Sequence, residues 1–334
     1  MTHLTAHVRK SFWALLAAAC AMLLICGCGR EAGVDTATMT EEALQKQDDA
    51  IDSLRHVDPE LIGYTETATL QTGFEEPAGI AVAPDGTVYC VGDMALHRLS
   101  TDEGPVQITS LAASPTCVST GPDGLIYVGY RDHIEVFNPQ GAQKARWSGL
   151  GERAYVTCIA ADTENVYVAD AGNRAIYQYT LSGEKQAEIK KGQPAGFIGF
   201  VIPSPHLDVV IHKDTLVATN PGRHQVVTFK DGEVIAAWGE FKQTIRGFCG
   251  CCNPVDIALL SDGRVVTAEK GLPRVKVYSP DGEFETVVAP PDALSSKAVG
   301  LDLAVDGETI LGLDRPANCV RVFEPKSGAE AGNE

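Results

Sequence analysis

The sequence predicts an all-β chain, a six-bladed β-propeller carried behind an export signal and a short helical tether. Three observations predict it. A unit of about 40 residues recurs six times between Pro77 and Phe323. Each unit alternates apolar, Val/Ile/Tyr-rich runs with Asp-Gly turns or their equivalents. The last unit is one strand short, and an unassigned strand, Tyr64–Gly73, precedes the first.

From the N-terminus, Arg9 and Lys10 precede an apolar run, Phe12 to Ile25, that is short for a membrane span. Ile25-Cys26-Gly27-Cys28 follows and resembles a bacterial lipobox. This implies a signal peptide over 1–27, lipidation at Cys28, and an envelope protein held outside the cytoplasm, on the periplasmic face in a Gram-negative cell. Residues 28–62 are expected to be a tether, with Thr40 as a helix cap and Leu44, Ile51 and Leu54 near one face. The chain carries 27 basic and 44 acidic residues, and export removes only basic ones. Nothing here suits a nucleic-acid partner, whose backbone must be met by clustered cations.

The six units begin at Pro77, Pro115, Val156, Pro205, Pro254 and Ala298. Asp-Gly between apolar runs marks a hairpin, because glycine accepts positive φ. A four-stranded unit cannot bury both faces alone, so units stack, and a closed circle hides their faces. Tyr64–Gly73 is expected to complete the sixth blade and latch the ring, which spans 63–327 before a flexible tail at 328–334.

"NVYVADAGNRAIYQYTLSGE" (Asn165–Glu184) resembles an NHL repeat, and "GFCGCCNPVDIAL" resembles that family's inter-blade linker with extra residues at the cysteines. The resemblance implies a six-bladed propeller. It leaves function open, since such propellers include binding scaffolds, lyases and lactonase-like hydrolases. It also implies an arginine at the position of Arg274 that pairs with the neighbouring blade.

In a propeller the inter-blade linkers and the corners between second and third strands share one face. Alignment of the units puts Cys249, Cys251, Cys252 and Asp256 at the start of the fifth blade, with Cys117, Cys158, His206, Asp208 and Asp302 at comparable places. The facing corners carry Asp170 and Asn173, Asn220, Arg223 and His224, Glu269, Lys270 and Arg274, then Asp314 and Cys319. Asp170 and Asn173 read as turn formers, and Cys90, Cys117 and Cys158 as small core residues. Arg223, Lys270 and Arg274 would form a basic patch for an anion on an acidic protein, or Glu269, Lys270 and Arg274 would satisfy one another.

Beyond Cys28, seven cysteines remain, an odd number in an oxidising compartment. Three readings of Cys249, Cys251 and Cys252 stand open. One is a disulfide within the loop or to Cys319; a Cys251–Cys252 bond would close a small ring and be labile. Another is a soft metal, with His206 or His224 assisting. The third is redox exchange with a partner. The expected function is a lipid-anchored scaffold binding a protein or small anionic ligand through the Cys-rich, basic-rimmed face. The alternatives are a thiol- or metal-dependent redox protein, and a lactonase- or lyase-like enzyme. The enzyme would need a divalent ion at the channel mouth, with Asp208, Asp256, Asn220 and Asp314 as conceivable ligands.

Overall fold

The computed structural model describes residues 55–147, 149–295 and 299–326. The export signal, Cys28 and the expected tether helix lie outside them. Among the described residues no helix is long and apolar enough to cross a membrane.

The described chain is a run of strands. β1 (Tyr64–Gln71) comes first. Blade one is β2 (Pro77–Val82), β3 (Val88–Gly92), β4 (Ala95–Leu99) and β5 (Val106–Ser110). Blade two is β6 (Cys117–Thr120), β7 (Ile126–Gly129), β8 (Ile134–Phe137) and β9 (Gln143–Trp147). Blade three is β10 (Val156–Ala161), β11 (Asn165–Asp170), β12 (Ala175–Thr180) and β13 (Lys185–Ile189). Blade four is β14 (Val209–His212), β15 (Thr215–Asn220), β16 (Gln225–Lys230) and β17 (Glu233–Trp238). Blade five is β18 (Asp256–Leu259), β19 (Val265–Glu269), β20 (Arg274–Tyr278) and β21 (Phe284–Ala289). Blade six is β22 (Asp302–Asp306), β23 (Thr309–Asp314) and β24 (Cys319–Pro325), with β1 as its fourth strand.

Each blade is a four-stranded antiparallel meander, and β1 pairs with β24 from Tyr64 opposite Pro325 to Gln71 opposite Cys319. The first-strand contacts run in a closed circle, β2 to β6, β10, β14, β18, β22 and back to β2. The ring is therefore latched by its first strand, as the sequence predicts. The hairpin turns follow the Asp-Gly signal. Gly86, Gly124 and Gly263 adopt positive φ, and Asp85, Asp123 and Asp262 each accept the backbone N–H two residues on, at 3.0 Å.

The core is divided among the seams between blades. Leu70, Phe74, Ile80 and Leu311 pack between blades six and one, and Tyr64, Val275, Leu301 and Phe323 between five and six. The seam between blades four and five is thin: Val217, Val226, Ile257 and Val265 are its buried cluster among the described residues. Polar contacts supplement it, as the site below shows. The last residues of the expected tether also dock on the ring. Ile62 bridges Val287 in parallel, and Gly63 N–H donates to Thr286 Oγ1 at 2.8 Å.

Candidate functional site

The corners come first, because they hold the linkers. Asp170, Asn220, Glu269 and Asp314 end the second strands of blades three to six, and all four are buried. Each accepts a backbone N–H from an incoming linker: Tyr155 to Asp170 (2.9 Å), Val201 to Asn220 (2.8 Å), Cys249 to Glu269 (3.2 Å) and Ser295 to Asp314 (3.0 Å). In blade one Asp93 does the same for Glu75 and Glu76. A buried linker N–H needs a partner, and a corner oxygen supplies it. Asn220 and Asp314, expected at a divalent-ion cage, are thus occupied with linkers.

Glu269 also carries two cations. Arg274 Nη2 lies 2.7 Å from Glu269 Oε2 and Lys276 Nζ 2.8 Å from Oε1, all three side chains being almost wholly buried. Burial alone would raise the Glu269 carboxyl, but Lys276 and Arg274 hold it below its ordinary value. Arg274 is therefore an interior ion-pair partner rather than part of a surface basic patch, and its partner Glu269 lies in its own blade, not in the neighbouring blade as the resemblance implies.

The channel carries a second set of acids. Gly79, Cys117, Cys158, Asp208, Asp256 and Asp302 occupy equivalent places on the six inner strands, which line a cavity of about 260 Å³. Each aspartate staples the next blade: Asp208 Oδ2 accepts Ile257 N–H (2.6 Å), Asp256 Oδ1 accepts Leu303 N–H (2.9 Å), and Asp302 Oδ2 accepts Ile80 N–H (2.6 Å). At Gly79 a side chain would meet Val118 N at 3.1 Å, so glycine allows the blades to approach there. Burial pushes all three carboxyls up, Asp208 to about 7, and their mutual repulsion adds to this at Asp256. Arg315 opposes the shift at Asp256 and Asp302. Burial likewise raises the Cys117 and Cys158 thiols, keeping both protonated. Among the described residues, no group of three or more His, Cys, Asp or Glu side chains is arranged to hold a metal ion.

The cysteine loop is built on the buried charges. Lys276 Nζ donates to the carbonyls of Ile245 (3.0 Å) and Gly247 (2.8 Å) and lies over the rings of Phe248 and Tyr278. Its burial brings the ammonium down to about 8 against the pull of Glu269. Asn253 Nδ2 donates to Cys249 O (2.5 Å) and Lys270 O (3.1 Å), while its Oδ1 accepts Lys270 N–H (2.9 Å). His224 Nε2 contacts Gly250 O at 2.9 Å, tying the loop to the corner of blade four.

On this frame the three cysteines differ. Cys249 is buried, its Sγ 3.2 Å from Arg274 Nη2 and 3.7 Å from Glu269 Oε2. Burial, then the Glu269 charge, raises its thiol despite the cations. Cys251 is exposed and its Sγ lies 3.1 Å from that of buried Cys252. Cys252 Sγ also meets Ser204 Oγ at 3.3 Å, and Ser204 accepts from Lys270 Nζ at 2.6 Å. Burial would raise the Cys252 thiol, but hydrogen bonds with Ser204, Lys270 and Cys251 and the Lys270 charge outweigh it, so the thiol sits below its ordinary value.

The remaining expected residues scatter around this point. His206 is partly buried; burial, then the charges of Lys270 and Arg315, bring it down to about 3, so its ring is neutral at physiological pH. Arg223 is exposed and lines a shallow cavity of about 340 Å³ with Ile198, Asn220, Glu233 and Val234. Cys319 sits opposite Asp314, with Arg321, Asp314 and Glu66 as its charged neighbours, away from the cysteine loop. None of the seven described cysteines is joined in a disulfide, the expected bridge from the loop to Cys319 included.

Ser204, Lys276 and Arg315 were not legible as site residues. Lys276, in "RVKVY", reads as a solvent-facing strand position until the linker above it is placed. Arg315 had a signal: Arg315–Ala317 forms a 3-10 turn closed by left-handed Asn318, as Pro221–Arg223 is closed by left-handed His224. Its Nη2 donates to Ala78 O at 2.6 Å, across the junction of blades six and one.

No family model matches the chain, and no curated protein matches it in sequence. Two solved structures are similar in fold. One is selenomethionine-substituted virginiamycin B lyase from Staphylococcus aureus, at 13% identity and a TM-score of 0.53. The other is a catalytically inactive form of that lyase with quinupristin, at 13% identity and a TM-score of 0.50. Each match covers 78% of this chain and 99% of the other. At this identity the likeness establishes fold alone: the chain is a six-bladed β-propeller whose architecture is similar to that of these lyases.

Proposed function

We propose that the protein is an NHL-like binding scaffold, anchored by lipid at Cys28 on the outer side of a bacterial membrane, that engages a protein partner through its linker-and-corner face. The observation that carries this reading is the cysteine loop. Five separate side chains, from Asn253, His224, Glu269, Arg274 and Lys276, fix its backbone or Cys249 and leave Cys251 at the surface. A loop held this firmly presents a side chain at little conformational cost. Exposed apolar groups on neighbouring linkers support the same face. Ile198 is 59% exposed, Phe241 48%, and Phe241 packs edge-on against His224. Aromatic and apolar side chains beside fixed polar groups are the make-up of partner sites.

The test is photo-crosslinking in intact cells of the full-length protein, with a photoreactive residue at Ile198 or Phe241 and a control at Leu181. Leu181 is also exposed but lies in the turn between β12 and β13, at the opposite end of its blade. Discrete adducts from Ile198 and Phe241 but not from Leu181 support the reading. Equal labelling at all three positions, or none at the first two, overturns it.

A further inference from the structure

We infer that Cys251 and Cys252 form a thiol–disulfide exchange pair that reduces a disulfide presented to the linker face. The inference deepens the binding reading and rests on it for the approach of a partner.

The three loop cysteines divide the work. Cys249 is held against Arg274 and Glu269 and serves the frame. Cys251 is the thiol a partner can reach, and Cys252 lies buried directly behind it, sulfur to sulfur at 3.1 Å. Ser204 meets Cys252 and Lys270 stands behind Ser204, supplying the donor and the positive charge a thiolate needs. A soft metal fits less well. Two sulfurs of a tetrahedral zinc site stand about 3.8 Å apart at a bond length of about 2.3 Å, wider than the observed contact. The described residues also supply no group of three metal-holding side chains.

The step balances as two displacements. Cys252 starts as the thiolate, steadied by Ser204 and Lys270; it takes the proton of Cys251, whose sulfur attacks one sulfur of a disulfide R–S–S–R′. A mixed disulfide Cys251–S–S–R′ forms, and the R–S⁻ that leaves takes the proton from Cys252. The Cys252 thiolate, steadied by Lys270 and Ser204, then attacks Cys251 Sγ. The Cys251–Cys252 bond forms and R′–S⁻ leaves, to be protonated by water; because the ring closed is small and labile, the exchange runs forward with the disulfide in excess. Two electrons pass from the pair to the substrate, which ends as two thiols.

The experiment uses reduced, full-length protein treated with a large excess of glutathione disulfide and read by peptide mapping with mass spectrometry. In the wild type, the peptide bearing Cys251 and Cys252 loses two hydrogens and gains no glutathione. In Cys252→Ser, glutathione accumulates on Cys251, because the resolving sulfur is gone. Cys319→Ser, in blade six, still closes the pair. Lys270→Met slows closure about tenfold at neutral pH as the thiolate fraction falls. A glutathione adduct that persists on wild-type Cys251, or no reaction at either cysteine, overturns the exchange. Crosslinking at Ile198 and Phe241 in the same variants keeps the two readings apart. Adducts without exchange sink the redox step alone, and exchange without adducts supports the pair while sinking the partner face.

Discussion

At the scale of single residues, Glu269 shows how the site is supported from within. It pairs with both Arg274 and Lys276, accepts the Cys249 N–H, and is wholly buried. Replacing it with glutamine leaves two buried cations short of a counter-charge, so Glu269→Gln is expected to cost about 3–5 kcal/mol. Urea unfolding followed by tryptophan fluorescence measures this, and a loss under about 1 kcal/mol would show that the pair is not the prop described. The residue scale is also where the sequence was hardest to read. Cys249, Cys251 and Cys252 are chemically identical in "GFCGCC"; only the positions of Arg274, Ser204 and Lys270, from other segments, make them three different groups. Arg274 read equally well as a surface cation or an ion-pair partner. Burial decided between them, and burial depends on the linker folding over it.

At the scale of elements, the strands were legible, whereas the linkers were legible in place but not in conformation. Strands declare themselves by Val/Ile/Tyr runs between Asp-Gly turns, a local signal. Tyr64–Gly73 was recognisable as the missing strand because the sixth unit ended early, and β1 fills that place. Its Leu70 is buried in the seam between blades six and one. Leu70→Ala therefore removes packing from the latch itself, with an expected loss of about 2–5 kcal/mol; thermal unfolding reads it, and an unchanged Tm would mean that β1 is not needed to hold the ring. The linkers, by contrast, are set by partners distant in sequence. The backbone of Ile245 and Gly247 is fixed by Lys276, and that of Gly250 by His224. No local periodicity encodes such contacts.

At the scale of the whole molecule, the ring concentrates charge that each blade alone would keep apart. Asp208, Asp256 and Asp302 come from three blades and meet in one channel, with Cys158 beside Asp208 and the Arg315 charge acting on Asp302. The Asp208 carboxyl, about 3.8 in the open chain, is raised to about 7 by burial. The folded state therefore binds this proton more tightly than the unfolded state does. Its contribution is fully present below about pH 4 and is lost as pH rises through about 7. Relative to Asp208→Asn, which cannot ionise, wild-type stability should fall between pH 4 and 8. Paired thermal scans across that range test this, and a difference that stays flat or grows with pH would contradict it. The cysteine loop leads into blade five, one wall of the thin apolar seam between blades four and five. There the Asp208 to Ile257 and His224 to Gly250 contacts join the two blades, so the site and the seam depend on the same bonds.

The central claim is that this face displays one reactive thiol on a fixed frame, and the reactivity order of the seven described cysteines tests it most directly. Native full-length protein is labelled with a maleimide over time and mapped by peptide mass spectrometry. The account expects Cys251 to react first, with Cys90, Cys117, Cys158, Cys249 and Cys319 protected until the protein is unfolded. Protection of Cys251 in the native protein, or labelling of Cys249 as fast as Cys251, would contradict it.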